Sequence, residues 1–380
     1  MQNRTIIIIQ YHMTKTLKKL ALSLLVLGTA LQLGAQNRGM GVAVNSPVVN
    51  PDNTVTFNYR NANAKDVKVN VQFAGTHDMT KNENGIWTIT LGPAAPDIYP
   101  YCFIVDGINV MDPQNPDWFP NETFKNSLVD IRGDKPLVHS VQSVPHGSVD
   151  YVNYWSETLG TYGRLVIYTP PFYDQNQSER YPVFYLISGT TDTEETYHKV
   201  GRTNFILDNL IAEGKAVPMI VVMPYGNPSK YFPAGTDLSG KGDMTTHDFI
   251  HDIVPYVDAN YRTIPDRDHR AVGGFSRGGN QALSHGLRHI NMFSYFCCYS
   301  SYTSMDIPVY DRADINDLVN LFWLGVGTDD FLYEGAKQYM DFLDSKNIKN
   351  IKFFTHDKFG HTWMNAKCFL DQSVPLLFKK

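Results

Sequence analysis

Residues 270–279, Arg270-Ala271-Val272-Gly273-Gly274-Phe275-Ser276-Arg277-Gly278-Gly279, constrain the fold more than any other stretch of this chain. An apolar, strand-like run enters Gly274-Phe275-Ser276-Arg277-Gly278, and helix-forming residues 280–288 leave it, so G-x-S-x-G sits in a strand–turn–helix setting. A serine at the tip of so sharp a turn takes strained backbone angles, and side chains at the flanking glycine positions would collide with neighbouring elements. The helix that follows aims its N-terminus at the serine and favours negative charge developing there. The turn predicts a nucleophile at Ser276, with the Arg277 amide as one donor to an oxyanion.

The surrounding pattern predicts a doubly wound, mostly parallel sheet. Tyr181–Ile187 and Met219–Met223 are continuous apolar runs, as strands buried on both faces require, and an amphipathic helix with a glycine stop (Asn204 to Gly214) lies between them. A second oxyanion donor belongs in the loop after the first buried run, Ser188-Gly189-Thr190-Thr191, at the Thr190 amide.

A nucleophilic serine needs a base, and the base needs an orienting acid, in the chain order serine, acid, histidine. Leu321–Gly327 reads as a buried strand with Asp329 and Asp330 at its carboxyl end; only one of these neighbours can face the histidine. A helix from Tyr333, a strand from Ile351 and then Phe359-Gly360-His361-Thr362-Trp363 follow. His361 is preferred to His356 because it lies in a loop after glycine and leads into a helix. His247 and His251 have metal-binding i, i+4 spacing but no glutamate between them, and Thr245 and Thr246 read as a helix start, so a solvated face is expected. The sequence holds no phosphate loop or dinucleotide fingerprint, and neither cofactor nor metal is expected.

Ahead of this lie alternating runs broken by turn residues: Thr54–Tyr59, Val67–Val71, Ile86–Leu91 and Tyr99–Val105. They predict a small all-β, immunoglobulin-like sandwich. Trp87 is expected in its core, and Trp118, in a Pro/Asn-rich loop, at its surface. Residues 13–35 read as a secretory leader: Lys15, Lys18 and Lys19, then an apolar stretch too short to span a membrane, then small residues. Met13 is an alternative start. The expected organisation is 1–35 signal peptide, 36–135 sandwich, 136–147 linker and 148–380 hydrolase, exported to the periplasm or beyond. Export permits disulfides; adjacent Cys297 and Cys298 do not readily pair with each other, which leaves a bridge through Cys368 open. With 33 Lys+Arg against 38 Asp+Glu and no basic run, a nucleic-acid partner is excluded.

The segments Tyr181–Leu186, Met219–Pro224, Asn260–Thr263, Gly274–Gly279, Gly327–Phe331 and Gly360–Trp363 resemble carbohydrate esterase family 1, over about residues 145–378. Asn84–Trp87, Tyr99–Gly107 and Asp112–Pro116 resemble the early-set sandwich of carbohydrate-binding module family 48, which can orient or cover a neighbouring site. The resemblance implies an α/β hydrolase with Ser276, Asp330 and His361 as its triad. Two positions depart from the family pattern: Ser188-Gly189-Thr190 replaces a His-Gly-Gly-like loop, and Arg277 stands where methionine is common. The function implied is a secreted esterase acting on feruloylated xylan. Acetylxylan esterase is the enzymatic alternative, and a carbohydrate-binding protein with an inactive esterase region the alternative of another class. Tyr231 and Phe232, in loop 227–243, and Trp363 are the candidate cleft residues. Oligomeric state is left open.

Overall fold

The computed structural model describes residues 44–239 and 243–379; the leader predicted over 1–35 lies outside the described residues. Eight strands form one sheet: β1 (Ser148–Ser156), β2 (Thr161–Thr169), β3 (Val183–Ile187), β4 (Ile220–Pro224), β5 (Arg270–Phe275), β6 (Tyr295–Tyr299), β7 (Leu321–Gly327) and β8 (Ile351–His356). Their spatial order is β1-β2-β4-β3-β5-β6-β7-β8. β2 runs antiparallel to both neighbours, and every pairing from β4 to β8 is parallel. This is the α/β-hydrolase arrangement.

Side chains alternate across a strand, so each central strand feeds two cores. Val183, Tyr185 and Ile187 of β3 enter one, where Ala282, Leu283 and Leu287 of α2 (Arg277–Arg288) and Tyr339 and Leu343 of α3 (Tyr333–Ser345) meet them. Phe184 and Leu186 enter the other, against Ile206, Leu207 and Leu210 of α1 (Thr203–Ala212) and Ala366, Phe369 and Leu370 of α4 (Trp363–Ser373). Adjacent Cys297 and Cys298 part between these two cores. All four cysteines are free thiols, which leaves no bridge through Cys368.

The N-terminal region forms two antiparallel sheets, one built on Val55–Arg60 and Ile86–Leu91, the other on Val67–Val71 and Asp97–Val105. Val67, Val69 and Val71 all point inward, as their alternation predicts, onto Phe57, Tyr101 and Phe103. Trp87 lies in this core, 8% exposed, and its indole N–H donates to the Asn61 carbonyl at 2.9 Å. Trp118 is half-buried under the Lys199 ammonium, 4.3 Å from the ring centre. Ile98, Phe119 and Leu128 pack into the α1/α4 core, and Met364 of α4 touches the sandwich core in return, so the two regions share a buried seam.

The helix expected to start at Thr245 and Thr246 begins at Met244, capped by Asp243, whose carboxylate accepts from the Thr246 amide at 3.1 Å. His247 and His251 are exposed, with ring centres 5.4 Å apart. No cluster of three or more metal-ligating residues occurs among the described residues. None of the described helices is long and apolar enough to cross a membrane.

Candidate active site

Ser276 stands between β5 and α2 with φ 57° and ψ −124°, a conformation that a non-glycine residue holds only when its surroundings impose it. Its amide is held by the Tyr299 carbonyl of β6 at 2.9 Å, and its carbonyl accepts from Asn280 at 3.1 Å. The flanking glycines let the chain turn there. A Cβ on Gly278 would fall 2.0 Å from the Ile187 carbonyl oxygen, and one on Gly274 2.4 Å from the same atom. These obstacles are backbone, so a side chain can be admitted only by moving β3 and the loop after it. Gly278→Ala is therefore expected to destabilise the fold by about 1–3 kcal/mol, as overpacking does, and to cut turnover at least about tenfold. Denaturant midpoint and initial rate on the purified variant check both.

The structure brings His361 and Asp330 to this serine. The Ser276 hydroxyl donates to His361 Nε2 at 2.9 Å, and His361 Nδ1 lies 3.0 and 2.9 Å from the two Asp330 oxygens. An ionised carboxylate only accepts, so Nδ1 carries the hydrogen and Nε2 is left to accept. Burial alone would push the Asp330 carboxyl up, but hydrogen bonds from His361 and the Leu332 amide reverse this and hold it below the ordinary value. It is therefore charged at neutral pH. The imidazole stacks on Phe275 at 4.8 Å and faces Phe331, 76% exposed, at 4.5 Å. Asp329 is exposed, its amide bonded to the Phe359 carbonyl. His356 stacks on Phe359 at 3.6 Å and bonds the Asp357 carbonyl. Neither joins the Ser276 contacts. A hydroxyl, an imidazole in this tautomer and a charged carboxylate can together move one proton off Ser276 without leaving a buried charge unpaired.

The loop after β3 presses against the serine: a Cβ on Gly189 would lie 3.4 Å from Ser276 Cβ. The two departures in sequence meet here. Arg277 Nη2 donates to the Gly189 carbonyl at 3.0 Å, and Ser188 Oγ donates to the Thr193 carbonyl at 2.8 Å, so both side chains brace the loop on which the exposed Thr190 sits. Gln281 Nε2 reaches the Gly226 carbonyl at 2.9 Å and ties the next strand end to α2.

The other candidate cleft residues are placed differently. Tyr231 and Phe232 are half-buried; the Tyr231 hydroxyl accepts from the Arg164 amide of β2 at 2.9 Å, and its ring lies 5.3 Å from Tyr225. Trp363 is 9% exposed, wedged between Tyr197 and Phe275, and supports the histidine loop from beneath. Sequence reading did not single out Asn121, Glu122, Asp192 or Phe331, all close to this site. Asp192 is almost wholly buried, which pushes its carboxyl up to about 7 against the pull of Asn121. A cavity of about 570 Å³ beside Tyr295, Asn320 and Leu321 opens at the amino ends of β6 and β7, the wrong end of the sheet for this chemistry.

Comparison with known proteins bears on the family and the fold. The family model described as "Putative esterase" matches residues 156–351. An endo-1,4-beta-xylanase/feruloyl esterase of Xylanibacter ruminicola is 28% identical over 343 residues, 88% of this chain and 46% of that protein. Two esterases of Mycobacterium tuberculosis are 29% identical over 159 residues, 41% of this chain and 32% of theirs. The chain thus spans less than half the length of these curated relatives. Among solved structures, a CE1 ferulic acid esterase from Anaeromyces mucronatus superposes with TM-score 0.55 at 22% identity, covering 63% of this chain and 93% of its own. An enterochelin esterase from Shigella flexneri superposes with TM-score 0.63 at 17% identity, covering 86% and 92%. At these identities the likeness speaks for the fold. The family match spans more than half of the sequence, and on that ground the chain belongs to this esterase family.

Proposed function

We propose that this protein is a secreted serine esterase that removes feruloyl or related hydroxycinnamoyl groups from plant cell-wall xylan. The observation that carries the reading is the hydrogen-bonded series Ser276–His361–Asp330 at the strained turn after β5. His361 takes the Ser276 proton as Oγ attacks the ester carbonyl, and Asp330 stabilises the imidazolium. The amides of Arg277 and Thr190 receive the oxyanion. On collapse, His361 passes its proton to the departing sugar oxygen and leaves an acyl-enzyme. Water, deprotonated by the same imidazole, attacks this ester; the second tetrahedral adduct collapses to free acid and restores the Ser276 hydroxyl.

Two features support an aryl acyl group. The relative from Xylanibacter ruminicola matches along most of this chain, including the β-rich region ahead of the hydrolase. Phe331 also stands exposed beside the His361 ring, where a cinnamoyl ring can pack against it. Residues 1–35 act as the leader, 36–135 as the sandwich and 136–147 as the linker to the hydrolase at 148–380. The test is a comparison of methyl ferulate, p-nitrophenyl acetate and acetylated xylan. We expect kcat/KM on methyl ferulate to exceed that on the acetyl substrates by about tenfold or more, since an unfilled aryl pocket forfeits its binding energy. Acetate release without ferulate release replaces the proposal with an acetylxylan esterase. Retention on xylan without hydrolysis of any substrate rejects both enzymatic readings.

A further inference from the structure

Ser276 lies on the hydrolase sheet, but part of what holds the loop beside it comes from elsewhere in the chain. Asn121 and Glu122 belong to the β-rich N-terminal region and form a short antiparallel bridge with the segment after Gly189. The Glu122 amide donates to the Thr191 carbonyl at 2.7 Å. Asn121, 3% exposed, spends both side-chain N–H groups on this segment: Nδ2 lies 3.0 Å from Thr191 Oγ1 and 3.1 Å from Asp192 Oδ1. The Pro120 carbonyl accepts from Thr196 Oγ1 at 2.8 Å.

What is held there would not hold itself. Thr191 is β-branched yet sits at φ +64°, which costs on the order of 1–3 kcal/mol unless contacts over-determine it. Asp192 is a buried carboxyl whose amide closes back on the Gly189 carbonyl at 3.3 Å. That same carbonyl takes the Arg277 guanidinium. Glu122, its side chain 8% exposed, accepts from the Tyr225 hydroxyl at 2.8 Å and Asn227 Nδ2 at 2.9 Å, and its charge faces Arg277. Two strand-end loops, after β3 and β4, are thereby hydrogen-bonded to one dipeptide from outside the sheet, and its charge acts on Arg277 after β5.

We infer that Asn121 and Glu122 are positioning residues for the oxyanion loop, so that the β-rich N-terminal region is a working part of the esterase site rather than a detachable sugar-binding module. The inference rests on the reading of Ser276 as nucleophile and Thr190 as oxyanion donor. A donor amide must sit within tenths of an ångström of where the oxyanion forms, and a loop free to relax at Thr191 loses that placement. The effect belongs to the transition state, so it falls on kcat and leaves ground-state binding alone.

The test is full-length Asn121→Ala, with Glu122→Gln as a second variant that keeps an acceptor oxygen but removes the charge facing Arg277. We expect kcat on methyl ferulate to fall about 10- to 100-fold for Asn121→Ala, and less for Glu122→Gln, with KM within about twofold of wild type. A phenylboronic acid forms a reversible tetrahedral adduct on the serine oxygen and places a boronate oxygen in the oxyanion position. Its inhibition constant should weaken in parallel with kcat, while the dissociation constant of free ferulate stays put. Wild-type kcat and boronate affinity with only a lowered melting temperature would overturn the inference, as would equal losses of ferulate and boronate affinity. Ser276→Ala is run alongside. If it retains turnover, the reading of the nucleophile fails first; if it is inactive while both variants behave as wild type, only the clamp fails.

Discussion

Ser276→Ala is expected to abolish hydrolysis of methyl ferulate, with kcat reduced on the order of 10⁶-fold and the fold unchanged. The size follows from how the contacts are connected. Among the described residues, the hydroxyl hydrogen-bonds only to the imidazole, the imidazole bonds both Oγ and the carboxylate, and no other charged group enters the series. Members of such a unit are not additive, so Ser276→Ala/His361→Ala should be no slower than the worse single variant. Asp330→Asn is expected to cost less, on the order of 10⁴-fold, for a tautomeric reason. An amide in that place can donate to Nδ1, which moves the ring hydrogen to Nε2 and leaves no acceptor for the serine proton. Near-UV circular dichroism establishes that each variant is folded, and initial rates on methyl ferulate measure the losses. Wild-type turnover by folded Ser276→Ala would remove the mechanism.

The parts of this site that were legible in sequence are those whose constraint is local. Gly274 and Gly278 must lack side chains because the β3 backbone lies within 2.4 Å of where a Cβ would be, and that requirement is written into five consecutive residues. Asp330 follows a buried apolar run and His361 a half-exposed strand, and the carboxyl ends of such strands are where loops can meet. The edge strand Ser148–Ser156 was not anticipated. It is exposed along most of its length and carries no apolar run, so its sequence resembles the linker before it. Asn121 and Glu122 were illegible for a different reason. Their partners lie 71 and 105 residues away, and an asparagine in a polar loop has no periodicity to betray a tertiary contact. Trp363 shows the reverse error: an aromatic beside the expected base suggests a substrate contact, yet the first turn of α4 points it into the core. The Arg277 side chain, which stands where the family commonly has methionine, turns back to brace the Gly189 carbonyl.

Lys367→Met is expected to destabilise the fold by about 3–5 kcal/mol. The Lys367 side chain is 2% exposed and pairs with the Asp97 carboxylate, itself 10% exposed, across the seam between α4 and the sandwich strand Asp97–Val105. Burial pulls the ammonium below its ordinary value and Asp97 pulls it back. His139 Nε2 lies 3.7 Å from the same carboxylate, but burial, reinforced by the nearby Lys367 charge, lowers its value to about 4. At neutral pH His139 is therefore uncharged beside Lys367; once the lysine is removed, burial, the largest cause, still opposes charging the ring while Asp97 favours it. Among the described residues, removing Lys367 leaves the Asp97 carboxylate holding only the Ile98 amide, at 2.6 Å, in a largely buried place. Adding Asp97→Asn keeps an acceptor for that amide and removes the stranded charge, so the double variant should recover most of the loss. Denaturant titrations at pH 7, with equal slopes required across the set, give the coupling directly. The pair also connects the sandwich to the helix whose first turn holds the His361 loop, through Asn365 Nδ2 and the Gly360 carbonyl. A single-variant loss below about 1 kcal/mol would mean that water or a neighbouring group already serves Asp97, and that the seam relies on its apolar contacts alone.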